Sequence, residues 1–102
     1  MITVLARLRA ESWQRFKAIH DRPASIQRRL DHGNLNHHVL NQLDDETDIV
    51  YLDTWSSPQD ADDFYHTDAF EEELREMEAQ LMELIKLEET DARSIEAGPA
   101  PV

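Results

Sequence analysis

The sequence predicts an α+β protein of ferredoxin-like plan: strand, helix, strand, strand, helix, strand, with an antiparallel sheet and its helices on one face. Three observations predict it. The chain opens on a period-two apolar pattern from Ile2 to Leu8. Two more strand-like stretches, Leu35–Leu43 and Ile49–Trp55, are separated only by the polar run Asp44–Asp48, as in a hairpin. Capped helical stretches follow the first and third strands, and crossovers of this kind return over the same face of the sheet.

In the first strand Ile2, Val4, Ala6 and Leu8 share one side, opposite Thr3, Leu5, Arg7 and Arg9. Ser12 is the expected N-cap of the first helix, with Trp13, Phe16, Ile19 and His20 on its inner face. Pro23 has no amide donor and drives Arg22 out of the helical region, so the helix breaks there. A second piece, Ala24–Asp31, is expected to bury Ile26 and Leu30, and Gly33 is its natural stop.

The second strand alternates poorly. The third places Ile49, Tyr51, Asp53 and Trp55 on one side and Val50, Leu52 and Thr54 on the other. Apolar groups on both sides mean that both faces should be covered. Ser57 caps the next helix, with Pro58 at its first position, and Ala61, Phe64 and Tyr65 face inward. Thr67 caps again. Phe70, Leu74, Met77 and Leu81 then form a helical stripe, with Glu71, Glu72, Glu73, Glu76 and Glu78 on an acidic outer face. Met82–Glu88 is the expected fourth strand. One domain is expected over residues 1–89, with a flexible tail over 90–102.

The chain has 102 residues, enough for one small domain whose thin core would gain from oligomerisation. Helices cover one sheet face, and at this length only a second copy can cover the other. A homodimer formed sheet to sheet is therefore expected. The formal charge of −12 argues against nucleic acid and anionic membranes as partners. It is unevenly spread: residues 1–30 hold seven Arg and Lys against two acids, and the rest hold three against twenty. That suggests either a basic first helical segment beside an acidic second one or simply a solvated acidic surface. The absence of cysteine removes thiol chemistry and Cys-based zinc sites. With no apparent leader and no membrane-length apolar run, a cytoplasmic location is expected.

The opening ITVLARLR, the strand ending in Trp55 and the pattern S-S-P-Q-D-A-D-D-F…D-A-F resemble the antibiotic biosynthesis monooxygenase-like proteins of the dimeric α/β-barrel superfamily. The resemblance covers roughly residues 2–89. It implies a sheet-to-sheet dimer, a pocket between sheet and helices with Trp55 on its wall, and cofactor-independent oxidation of a small aromatic, quinol or polyketide-like compound. Haem-degrading relatives carry an Asn in the first strand, then a Trp and a His in the helix after the third strand. This chain has no Asn in Ile2–Leu8, and it has Phe64 and Leu74 at the other two places, so haem chemistry is not expected. A cyclase or isomerase on the same scaffold, or a non-catalytic small-molecule-binding or dimerisation module, remains an alternative.

Such an oxygenase needs a stacking surface, a base and a hydrogen-bond donor. Asp53, His37 and His20 are the candidate acid–base residues. Trp55, Tyr51, Phe64 and Trp13 are the candidate substrate-lining residues, although the aromatics also suit an ordinary core. Metal is not expected. His37 and His38 point to opposite strand faces, and Asp62 with His66, four apart on a helix, lacks a third ligand. There is no G-x-G-x-x-G, P-loop or HExxH, and the only glycines are Gly33 and Gly98, so no nucleotide cofactor is expected.

Overall fold

A computed structural model describes residues 1–88. The expected tail lies outside the described residues. The elements run β1 (Ile2–Ala10), α1 (Trp13–His20), α2 (Pro23–Asp31), β2 (Asn34–Gln42), β3 (Asp45–Trp55), α3 (Pro58–Tyr65), α4 (Asp68–Glu76) and β4 (Ala79–Leu87). The strands form one antiparallel sheet in the order β2-β3-β1-β4. This is the ferredoxin-like α+β plan, with each crossover split into two short helices.

The splits follow from local chemistry. Ser12, Ser57 and Thr67 accept from the backbone N–H of Arg15, Asp60 and Phe70, capping α1, α3 and α4. Pro23 occupies the first position of α2, where a missing donor costs nothing. Gly33 ends the α2 turn at φ +85°. Its carbonyl accepts from Ser56 N at 2.9 Å. A side chain there would collide with Ser56 Oγ and Asp60 Oδ2, so both space and φ require glycine.

Val4, Ala6, Leu8, Ile49, Tyr51 and Trp55 project from the central strands into a core closed by Phe16, Ala61, Phe64, Tyr65, Phe70 and Met77. The other sheet face carries Leu5, Leu40, Val50, Leu52, Ile85 and Leu87, all half-buried or exposed. Among the described residues no helix is long and apolar enough to cross a membrane.

Five details differ from the sequence reading. The helical stripe does not reach Leu81. α4 ends at Glu76, and Leu81 lies on β4, which starts at Ala79 rather than Met82. Glu78 takes a left-handed φ of +53°, a place where glycine is the usual signal. The carbonyls at this end accept from Arg15 Nε at 2.6 Å and from Glu11 N at 3.2 Å. Distant partners thus stop the helix.

The hairpin is also tighter than expected, because β3 begins at Asp45. Arg7 grips Asp48 at 2.7 and 3.0 Å, and Asp45 Oδ1 accepts from Thr47 N at 3.0 Å. These interactions hold acids in a strand that propensity alone disfavours. β2 alternates poorly because it is an edge strand whose register shifts between Asn34 and Asn36, leaving Leu35 outside the pairing.

On α2 the buried residues are Ser25 and Arg29, while Ile26 and Leu30 face outward. Finally, Glu73 is not on the outer face. It is buried and ion-paired with Arg28. With Arg22–Glu76 at 2.8 Å and Arg15–Glu78 at 3.6 Å, this sets the basic first helical segment against the acidic second one.

Candidate functional site

Four elements converge on one buried carboxylate. Asp53 points into the core from β3 and is fully buried. Its neighbour in register is His37 on edge strand β2, whose Nδ1 contacts Asp53 Oδ1. Tyr65, at the end of α3, donates its hydroxyl to the other oxygen of Asp53. His37 Nε2 lies 2.6 Å from Nε2 of His20, the last residue of α1. His20 Nδ1 lies 3.0 Å from Asp21, whose side chain is half exposed. The result is a continuous line of polar groups from the surface to the core: Asp21, His20, His37, Asp53, Tyr65.

Aromatic packing fixes this line. Phe16 stacks on His20 with ring centres 5.3 Å apart, and Tyr51 packs edge-on to His37 at 4.9 Å. The imidazoles therefore have little freedom to turn. Hydrogen-bond counting then limits their protons. With both carboxylates ionised, each ring donates its Nδ1 proton to its own Asp. The Nε2–Nε2 bond needs one further proton. Three protons on two rings make one positive charge, which belongs to the pair.

Burial, reinforced by Arg29 and His37, lowers the His20 pKa to about 4, against the opposing effect of the hydrogen bond that His20 donates to Asp21. Asp21 itself is held below the usual carboxylate range, mainly by its hydrogen bond from Lys17 and then by that from His20. Burial pushes the hydroxyls of Tyr51 and Tyr65 up, so both stay protonated donors.

This arrangement can hold a proton beside Asp53 and pass it outward through His20 to Asp21. It also ties stability to pH. Between about pH 6.5 and 4 the unfolded chain binds more protons at His20 than the folded one. The stabilising share of His20 is thus complete above that window and is lost as pH falls through it, up to ~3 kcal/mol. The shifted acids Asp21, Asp45 and Asp48 lose theirs only below their unshifted value of 3.8. Thermal melts should fall between pH 6.5 and 4, and His20→Phe, which keeps the stacking, should flatten that fall.

His37 borders a surface cleft of 270 Å³ between α2 and β2. Its polar lining is Arg29, Asn34, Asn36 and His37, and its apolar lining is Ile26, Leu30 and Leu35. A wider depression of 670 Å³ lies elsewhere, around Arg9, Glu11, Arg75 and Glu78. Its charged groups are exposed and no member of the polar line borders it, so the smaller cleft is the one with chemistry.

Of the residues singled out in the sequence, the structure brings together His20, His37, Asp53 and Tyr51. Trp55 is fully buried against Phe64 and Tyr65, with ring centres at 4.9 and 5.6 Å. Its indole N–H is turned toward the Tyr65 hydroxyl but falls outside hydrogen-bonding geometry. Neither Trp55 nor Phe64 lines the cleft. Trp13 stacks on Phe16 at 5.6 Å and faces another part of the surface, beside Lys17 and Asp21. Asp62 and His66 do not form a chelate: Asp62 pairs with Lys86 at 2.5 Å, and the His66 ring bonds the Asp62 backbone carbonyl at 2.7 Å.

The sequence reading missed Tyr65, Asp21 and Arg29 as members of this region. Tyr65 was visible only as an inward-facing aromatic. Asp21 next to His20 carried no signal of its own. Arg29 was hidden because Ile26 and Leu30 marked the neighbouring face, one position further round the helix, as the apolar one.

No protein-family model matches the chain, and no curated protein matches it. Solved structures do. A presumed antibiotic biosynthesis monooxygenase from Deinococcus radiodurans superposes with a TM-score of 0.72 at 13% identity, over 93% of this chain and 98% of that one. One from Nitrosomonas europaea gives 0.64 at 16% identity, over 89% and 100%. SnoaB from Streptomyces nogalater, a cofactor-independent oxygenase, gives 0.64 at 13% identity, over 93% and 96%. At these identities the likeness establishes the fold: this chain has the fold of the antibiotic biosynthesis monooxygenase-like proteins, as its sequence motifs imply.

Proposed function

We propose that this protein is a cofactor-independent monooxygenase of small phenolic or quinol compounds, with His37 as the base and Asp53 as the group that orients it. The observation that carries this reading is the buried Asp53–His37–His20 line, whose middle member, His37, borders a cleft. The fold it shares with SnoaB supports it. Once the shared proton has left through His20 and Asp21, His37 is a free base at the cleft wall, still held by Asp53. A substrate hydroxyl takes the place of His20 as its partner and gives up its proton. The resulting anion is electron-rich enough to react with dioxygen at a ring carbon. One oxygen atom stays on that carbon, the other leaves as water, and the substrate supplies all the electrons: quinol plus O₂ gives hydroxyquinone plus water.

The test is oxygen uptake with a panel of quinols and polycyclic phenols, without added metal or flavin. Uptake matched by hydroxylated product supports the reading. Product formed anaerobically would instead mark proton transfer alone, the isomerase or cyclase use of the same residues. Binding without any product would leave a binding module.

The protein acts as a homodimer in this reading. Leu5, Leu40, Val50, Leu52, Ile85 and Leu87 make a contiguous apolar sheet face that the helices do not cover. The mass in solution at micromolar concentration should be twice the 11.9 kDa of one chain. Leu52→Asp, at the centre of that face, should give the single-chain mass with the fold retained by circular dichroism. A single-chain mass for the unmodified protein rejects the dimer.

A further inference from the structure

The cleft beside His37 inverts the usual rule of burial. Its aliphatic side chains are exposed: Ile26 by 43%, Leu30 by 57% and Leu35 by 60%. Its cation is not. Arg29 is 7% exposed, yet among the described residues no carboxylate lies within ion-pair distance of it. Its one internal hydrogen bond is a long one, from Nη1 to the His20 carbonyl at 3.4 Å. Its neighbour in sequence, Arg28, has Glu73. A buried guanidinium without a counter-ion is costly, and this one borders a cavity.

We infer that the α2–β2 cleft binds a small aromatic carboxylate, with Arg29 as its counter-ion and Ile26, Leu30 and Leu35 as the surface on which the ring lies. A guanidinium matches a carboxylate with two parallel N–H···O bonds. At 270 Å³ the cleft suits a single ring better than a polycycle. A single Arg in a chain of net charge −12 suits a monoanion better than a phosphate ester. The inference deepens the proposed function by naming its substrate as an acidic phenol, held by Arg29 so that its hydroxyl meets His37. The binding claim itself does not need turnover. Burial lowers the Arg29 pKa, in keeping with a group that gains from an anionic partner.

The test is titration of the full chain with benzoate and benzamide, followed by amide NMR shifts, together with oxygen uptake on 2,5-dihydroxybenzoate and hydroquinone. Benzoate should bind at least about ten-fold tighter than benzamide, since charge-assisted bonds exceed neutral ones, and should shift residues 26–37. Arg29→Gln should remove that preference and Arg29→Lys should restore part of it. Leu30→Glu, at an exposed position that leaves the core intact, removes part of the ring's surface and adds a like charge, so it should weaken both ligands and benzoate the more. Equal affinity for the two ligands, or shifts confined to the Arg9 and Arg75 surface, overturns the inference. Benzoate selectivity without oxygen uptake keeps the site and rejects the oxygenase. Uptake on hydroquinone without benzoate selectivity does the reverse.

Discussion

Replacing His37 with alanine should cut oxygen-consuming turnover by about 10²–10⁴-fold, the range that a positioned general base contributes. The substitution should leave the fold in place, because β2 is an edge strand and His37 sits at the cleft wall rather than in the apolar core. Asp53→Asn should produce a comparable loss by a different route. The carboxylate accepts from both His37 Nδ1 and the Tyr65 hydroxyl. An amide of the same shape keeps one acceptor and adds a donor. If that donor faces His37, the ring must move its proton to Nε2 and the lone pair that should meet substrate is gone. Initial rates with the quinol of highest uptake, measured beside melting curves, check both variants. Unchanged turnover in either folded variant removes that residue from the mechanism.

Trp55→Ala should destabilise the protein by ~3–5 kcal/mol, the usual cost of emptying a buried aromatic site. That is a large part of the ~5–15 kcal/mol that holds a domain together. Trp55 is fully buried where β3 meets α3, between Phe64 and Tyr65 and beside Ile2 in the ladder. Its loss opens a cavity next to the hydroxyl that steadies Asp53. Trp55→Phe should cost far less, because the indole N–H has no partner to lose. Urea unfolding of the three proteins gives the comparison. A loss below ~1 kcal/mol for the alanine variant would mean that the surrounding rings collapse into the space.

The sequence by itself determined the strands near the chain axis and the helix starts. Ile2–Leu8 and Ile49–Trp55 alternate because each has one face in the core, and every expected cap at Ser12, Ser57 and Thr67 is a local hydrogen bond readable within four residues. His20, His37 and Asp53 were also legible as candidates, since polar groups on apolar faces need partners somewhere. Tertiary structure decided what those partners are. Nothing local says that His37 and His20 meet Nε2 to Nε2, or that Tyr65 closes on Asp53, because each contact joins side chains on different elements, whose packing local propensity does not set. It also decided where α4 stops, through Arg15 and Glu11. On α2 it decided which face is buried: periodicity pointed to Ile26 and Leu30, but the helix turned Arg29 inward and left its aliphatic residues to line a cleft. Short-range physics sets which conformation each stretch can adopt, whereas the charge–charge and cavity terms that make a site depend on distances that exist only once the chain has closed.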